Sequence, residues 1–507
     1  MKIPHHLTFA LFAGLVVFAA QELDAAPGQL DATFGSGGKA SFAFGNCLGN
    51  SLAVQADGKL VVGGRAFVSS YDFALVRFNA DGSVDTNFGS GGKITTDFKG
   101  GDDFIACVRV LDDGKILAAG TSSGDGGKDF SLARYNSDGT LDTTFDPIGH
   151  DGKVSRDFGS ANDETATDMV VQPDGKILVV GYANKTTNDS DFGVIRFNAD
   201  GSIDTNFGSG GLAMVDFTGK FDVGTSVALQ PDGKILIAGH SIVSGYQFSI
   251  ARLNSDGTLD TSFDGDGKVT TDASAQSFDY GETVLVLDSG KILVGGQSNG
   301  GFALVRYNSN GSIDTTFGNA GIVLTPIGAA STLYSLAELS DGKILAAGDA
   351  DKDFAMACYN ADGALDTTFG SGGKVVSNFS GNTDQCRALS VLSDGRILLA
   401  GSANFSDMVV ARYAAAISKA VLGEAPRLTV KGKRKRVSTG DQTVIRGIAT
   451  GEVTSVTCKL GKRTRIAKGT SAWKFLPRLK PGRNVLTVTA HGPGGDSAPV
   501  KVIVIRK

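Results

Sequence analysis

Two short motifs alternate along this chain, seven copies of each, and they run one step out of phase. The hairpin motif Asp-Gly-Lys-Ile-Leu, with close variants, places its glycine at Gly58, Gly114, Gly175, Gly233, Gly290, Gly342 and Gly395. The motif Leu-Asp-Thr-Thr-Phe, with variants, ends at Phe34, Phe88, Phe145, Phe207, Phe263, Phe317 and Phe369. The first Phe motif precedes every hairpin, and no Phe motif follows the last one. An array that begins with its own final piece, and stops just short of it, reads as a ring.

The hairpin glycines are 56, 61, 58, 57, 52 and 53 residues apart. A period of this size made only of strand signals points to propeller blades. One unit reads as four strands. The first runs from Thr165 to Val171, and the turn Val171-Gln-Pro-Asp-Gly-Lys176 leads to a second from Lys176 to Gly181. A third runs from Asp191 to Phe197, and after Asn198-Ala-Asp-Gly201 an outer strand lies within Ile203 to Phe217. Proline presets φ in the first turn and glycine takes its left-handed position. Apolar residues alternate or form β-branched blocks, with no helical period. The expected fold is all-β: a seven-bladed propeller over residues 28–413, closed when an N-terminal outer strand from 28–44 joins three inner strands from 385–413. Closure removes the open edges of the array, and its entropic cost grows only slowly with loop length.

The ends of the chain differ from the repeats. Residues 1–20, with Lys2 and an apolar run from Leu7 to Ala20, read as a signal peptide too short to span a bilayer. This implies a secreted, cell-surface or periplasmic protein with no later membrane span and no intracellular nucleic-acid partner. The net charge of −5 conceals a split. From Ala425 onward there are nineteen Lys and Arg against three Asp and Glu; the remainder holds 29 against 50. After an Ala-rich linker at 414–426, short strand signals over 427–507 and the turn Pro481-Gly-Arg-Asn predict a small immunoglobulin-like β-sandwich, with Trp473 in its core and Cys458 a buried free thiol. Its cluster Lys431, Lys433, Arg434, Lys435 and Arg436 fits an anionic cell-surface polymer. A solvated basic face, or docking on the acidic propeller, are the competing readings.

Within the repeats, an arginine column stands out: Arg77, Arg134, Arg196, Arg252, Arg306 and Arg412, with Cys358 in the sixth unit. An aspartate column accompanies it: Asp85, Asp142, Asp204, Asp260 and Asp314, with Asp31 serving Arg412 across the closure and Asp366 following Cys358. A constellation copied into every blade is expected to be structural, a charge-assisted bond between neighbouring strands. Cys47 and Cys386 are expected on one face of adjacent blades, where a disulfide would staple the ring.

Other motifs carry less. The Phe-Gly-Ser-Gly-Gly-Lys segments lack the ending and the helix of a phosphate loop. Gly120-Thr-Ser-Ser-Gly124 and Gly296-Gln-Ser-Asn-Gly300 match a nucleophile elbow only in spacing. Phe263-Asp-Gly-Asp-Gly-Lys268 and Asn188-Asp-Ser-Asp191 lack the distal glutamate of a calcium loop and read as turn aspartates. No metal site, cofactor or catalytic residue is assigned. Glu338 and Arg109 are the only unrepeated charges noted on inner strands. Variable loops, longest at Thr121–Asp129 and Tyr182–Asp191 and short at Ser298–Gly301, place an expected ligand on their face of the disc, towards blades 2 and 3. The resulting reading is a non-enzymatic binding scaffold for a protein or polysaccharide partner. The alternative is a hydrolase or lyase acting in the propeller funnel.

The recurring Leu-Asp-Thr-Thr-Phe-Gly-x-Gly-Gly-Lys-Val, Pro-Asp-Gly-Lys-Ile-Leu-Val and Phe-x-x-x-Arg-Tyr-Asn-x-Asp-Gly resemble the delta-60 repeat family of secreted bacterial proteins over residues 28–413. That resemblance implies a propeller fold and no established activity or catalytic residues. The stretch from Trp473-x-Phe through Leu479-Lys-Pro-Gly-Arg-Asn-x-Leu-Thr-Val-Thr-Ala490 resembles bacterial immunoglobulin-like modules.

Overall fold

The computed structural model describes residues 25–416, apart from 125–126, 159–162, 187–188, 275–277 and 380, together with the strands lying between 427 and 506. The expected signal peptide at 1–20 and most of the 414–426 linker lie outside the described residues. There is no helix among the described residues, and so none long and apolar enough to cross a membrane.

Seven four-stranded antiparallel sheets form the blades of the propeller. In blade 3 the strands are Glu164–Val171, Ile177–Thr186, Asp189–Phe197 and Leu212–Val215, running from the channel outwards. Blade 7 takes three strands from the end of the repeats, Asp384–Val391, Ile397–Ala403 and Asp407–Tyr413. Its outer strand is Lys39–Ala43, paired with the third from Lys39 opposite Ala411 to Ala43 opposite Asp407. Backbone bonds extend this seam: Asp31 N–H donates to Arg412 O at 2.8 Å, and Arg412 N–H donates to Gly38 O at 2.9 Å.

Each blade packs on two neighbours, so its central strands bury both faces. Ile235, Leu236, Ile237 and Ala238 are all fully buried in succession, the pattern of a strand covered on both sides. The seven motif phenylalanines are likewise fully buried between blades. Each full blade-to-blade layer thus removes large apolar surface from water, the main favourable contribution to this fold.

The layers also settle the two cysteines. Cys47 and Cys386 both lie within innermost strands, and both are free, buried thiols. Cys47 packs with Leu398, Ala400, Met408 and Val410, whereas Cys386 packs with Leu399, Val409 and Ala411. Alternate residues of a strand face opposite sides, so the sheet of blade 7 stands between the two sulfurs. The expected disulfide does not form.

The C-terminal strands make two sheets. Arg427–Val430, Ile445–Thr450 and Ala472–Phe475 form one; Lys435–Ser438, Val500–Arg506, Gly482–Gly492, Ser455–Leu460 and Arg463–Ile466 form the other, with Gly495–Asp496 attached. Of the basic cluster, Lys435 and Arg436 lie in a strand that pairs parallel with Val500–Arg506. Lys431, Lys433 and Arg434, and the side chains of Trp473 and Cys458, lie outside the described residues.

Candidate ligand site in the central channel

The repeated ion pairs are construction joints. In the six blades that carry the arginine, its Nε lies 2.7–2.8 Å from the partner aspartate: Arg77–Asp85, Arg134–Asp142, Arg196–Asp204, Arg252–Asp260, Arg306–Asp314 and Arg412–Asp31. The guanidinium also covers the ring of the motif phenylalanine, as Arg77 does Phe88 at 4.3 Å. Its Nη1 donates to a turn carbonyl of the next blade, Ser137 O for Arg77 and Ala80 O for Arg412. The sequence reading missed a third member, the lysine of the hairpin motif. Lys59, Lys115, Lys176, Lys234 and Lys291 reach the same aspartates, and Arg396 reaches Asp31. In the sixth blade, where Cys358 replaces the arginine, Asp366 keeps Lys343 at 2.9 Å.

The channel is built from the opposite kind of position, one whose residue varies around the ring. Each innermost strand breaks register once against its neighbour, at a β-bulge. The residue passed over is Asn50, Ala106, Thr167, Thr225, Glu282, Tyr334 and Arg387 in blades 1 to 7. All seven line a central cavity of about 600 Å³. A bulge leaves its extra residue free to be re-aimed, and here it is aimed at the axis. The cause is a glycine in the second strand. A Cβ on Gly296 would lie 1.9 Å from the Tyr280 carbonyl oxygen, and the same close approach recurs at the equivalent glycine of every blade.

Three of the seven bulge residues are used up in holding the ring together. Asn50 Nδ2 donates to Ile105 O at 2.9 Å, and the hydroxyls of Thr167 and Thr225 donate to Gly224 O and Gly281 O at 2.9 Å. Ala106 offers no polar group. The remaining three, Glu282, Tyr334 and Arg387, are contiguous on blades 5, 6 and 7. The Arg387 guanidinium stacks 3.8 Å from the Tyr334 ring centroid. Asp349, on the second strand of blade 6, joins them and accepts the Cys386 N–H at 2.8 Å.

Burial dominates the electrostatics of this group. It pushes the Glu282 carboxyl up to about 7, with Arg387 pulling down and Asp349 pushing up. It pushes Asp349 up to about 6, against the pull of Arg387. The folded chain therefore holds the Glu282 proton more tightly than the unfolded chain. Its contribution to stability is full below the ordinary value near 4.5 and is lost as pH rises through about 7. A second cavity, of about 470 Å³, is lined by Asp349 of this group, by Gln385, which also lines the channel, and by Asp351, Lys352 and Thr383.

The two charges singled out from sequence do not meet. Arg109 lines the channel, where Nη2 lies 3.2 Å from Asp168, itself tied to Ser226 and Val227 of the next blade. Glu338 accepts the Asp288 N–H at 2.7 Å in a hairpin turn. Both are links between blades. The long loops expected in blades 2 and 3 are partly strand. Their long connections are hairpin extensions, with strands reaching Gly124 and Thr186. Blades 5 and 6 instead carry two-residue turns, Asn299-Gly300 and Asp351-Lys352, and blade 7 a three-residue turn that begins Asn404-Phe405, each of these pairs with both φ values positive. In blades 5 and 6 that is the type I′ signature.

Solved structures similar to this chain are distant in sequence. Virginiamycin B lyase from Staphylococcus aureus is 9% identical over 73% of this chain and 98% of its own, with a TM-score of 0.42. A protein of unknown function from Dyadobacter fermentans is 14% identical over 65% and 95%, at 0.39. An ulvan lyase of polysaccharide lyase family PL25 is 12% identical over 74% and 96%, at 0.42. No curated protein matches the chain in sequence. Residues 55–88, 111–145, 172–207, 230–263, 288–317 and 339–369 match the family model described as domain of unknown function (DUF5122) beta-propeller, and all six stretches fall within the seven-bladed ring.

Proposed function

We propose that this protein is a binding propeller that holds a polar, carboxylate-bearing ligand, such as an acidic saccharide, at the channel mouth over blades 5 to 7. The observation that carries this reading is the convergence of Glu282, Tyr334, Arg387 and Asp349 at unrepeated positions on three adjacent blades. Arg387 offers a fork for a carboxylate. Glu282 and Tyr334 offer hydrogen bonds to hydroxyl groups, and Tyr334 adds an apolar face. In this reading residues 1–20 export the chain, and the basic 427–507 module, an immunoglobulin-like sandwich, attaches it to an anionic surface polymer.

A second reading, an extracellular hydrolase or lyase, draws on one observation: a half-buried carboxyl held near 7 in the channel suits proton transfer at neutral pH. Calorimetry with acidic oligosaccharides, together with product analysis, separates the two. Binding is expected to fall at least about tenfold in Arg387→Ala, a loss typical of one charge-assisted contact, and to show a pH midpoint near 7 that Glu282→Gln removes. Chain cleavage that Glu282→Gln abolishes while binding survives establishes the enzymatic reading. Intact affinity in Arg387→Ala for every ligand found refutes the site.

A further inference from the structure

A second constellation stands apart from the channel, at the seam between blades 3 and 4. Asp189 and Asp191 lie two residues apart in the third strand of blade 3, and so project from one face of it. Asp216 follows that blade's outer strand, and Asp222 opens the innermost strand of blade 4, opposite Ser241. One carboxylate oxygen from each of Asp191, Asp216 and Asp222 lies within 4.8 Å of the others.

The oxygens are incompletely satisfied. Phe217 N–H donates to Asp222 Oδ2 and Gly219 N–H to Asp216 Oδ1, both at 2.7 Å. Lys185 Nζ lies 2.5 Å from Asp191 Oδ2 and 3.3 Å from Asp216 Oδ2. Yet Oδ1 of Asp189 and of Asp191 is buried with no hydrogen-bond partner among the described residues, and the Ser241 hydroxyl lies beside the Asp222 carboxyl. Asp191 is 1% exposed and Asp222 is fully buried. A comparable cluster at the seam of blades 1 and 2, Asp72, Asp97 and Asp103, lacks this feature. There both Asp103 oxygens accept backbone N–H groups, from Phe98 and Ser123, and Asp72 accepts the Ser70 hydroxyl.

Buried carboxylate oxygens without donors are costly. One hard cation satisfies several at once, and an irregular set of carboxylates and a hydroxyl suits the flexible, oxygen-rich coordination of Ca²⁺ better than the strict octahedron of Mg²⁺. We propose that Asp191, Asp216 and Asp222, with Asp189 and Ser241, form a calcium site in which the Lys185 ammonium holds the ion's place until it binds. Lys185 is suited to leaving, since its side chain is 39% exposed at the end of its strand. The sequence reading treated Asp189 and Asp191 as turn residues because it sought a contiguous calcium loop. The ligands instead come from three separate segments.

The test is a calcium titration of the EDTA-treated full chain, followed by calorimetry and by thermal unfolding. Saturable binding at one site is expected, with a Tm that climbs with the logarithm of calcium concentration and responds less to MgCl₂. Asp222→Asn is expected to abolish both. Because that variant also weakens the acceptor of Phe217 N–H, Lys185→Gln provides the independent arm. It keeps every oxygen and removes a like charge beside the ion, so calcium should bind about tenfold tighter, the scale of a single close charge at partial burial. Asp103→Asn should leave calcium binding unchanged. Absence of calcium binding in both the wild-type chain and Lys185→Gln overturns the proposal, as does binding abolished by Asp103→Asn.

Discussion

In six of the seven blades an aspartate neutralises two cations, and this sets an order of tolerance among the three side chains. Asp260 takes Arg252 at 2.7 Å and Lys234 at 3.0 Å. Removing the arginine leaves the pair Asp–Lys, which the sixth blade uses natively beside Cys358. Removing the aspartate leaves two cations facing one another. Arg252→Cys is therefore expected to cost about 1–3 kcal/mol, and Asp260→Ala about 3–5 kcal/mol, the range for an uncompensated buried charge; urea midpoints of the two variants check the order. The cysteine also has a physical context. The arginine of blade 6 would donate to a turn of blade 7, and that turn is assembled from N-terminal residues, where Gly370 N–H meets Pro27 O. The arginine and aspartate columns were legible in the sequence because charge repeated at fixed spacing is conspicuous. The lysine was equally constant, but it sat inside a motif already explained as a turn.

At the scale of the strand, the channel residues depend on a misregister that no alternation of apolar and polar residues reveals. Seven bulges each shift the innermost strand by one residue, so the position that reaches the axis falls outside the strand's regular pattern. Glu282, Tyr334 and Arg387 consequently looked like variation within a repeat, while the constant glycine of the next strand looked like any other. Gly296→Ala tests their connection. A methyl group 1.9 Å from the Tyr280 oxygen cannot be accommodated without moving backbone, and the bulge that presents Glu282 must relax. A loss of about 2–4 kcal/mol is expected, together with weaker binding of any ligand that depends on Glu282. Retention of both stability and binding would show that the bulge stands without the glycine. The hairpins were read correctly from sequence as turns, because glycine and asparagine reveal their φ directly. Loop length misled: the long connections of blades 2 and 3 continue as strand.

For the whole ring, the one-step offset of the two motifs foretold which segments lie side by side, since a unit split between the chain ends has a single complement. It did not foretell which sulfur faces which layer, because depth within a seam depends on the parity of residues in a sheet. The closing strand covers Asp407–Tyr413, a run rich in buried Met408, Val409, Val410 and Ala411. A chain truncated before Asn46 would expose this edge. It is expected to associate into oligomers through strand addition and to lose part of its thermal stability; size-exclusion chromatography of the truncated chain reads the first, and calorimetry the second. A monomer that unfolds like the full chain would show that the ring tolerates an open blade.

The glycine-backed bulge has a further consequence for how such a protein acquires new specificities. Every blade contributes one side chain to the axis through a backbone feature held in place by its neighbour strand, and none of the seven has to serve the apolar seams. Asn50, Thr167 and Thr225 also tie one blade to the next, but substitutions at Ala106, Glu282, Tyr334 and Arg387 alter the chemistry of the lumen one letter at a time. The disc works as a four-character lock, in which the characters can be rewritten while the barrel that carries them keeps its shape.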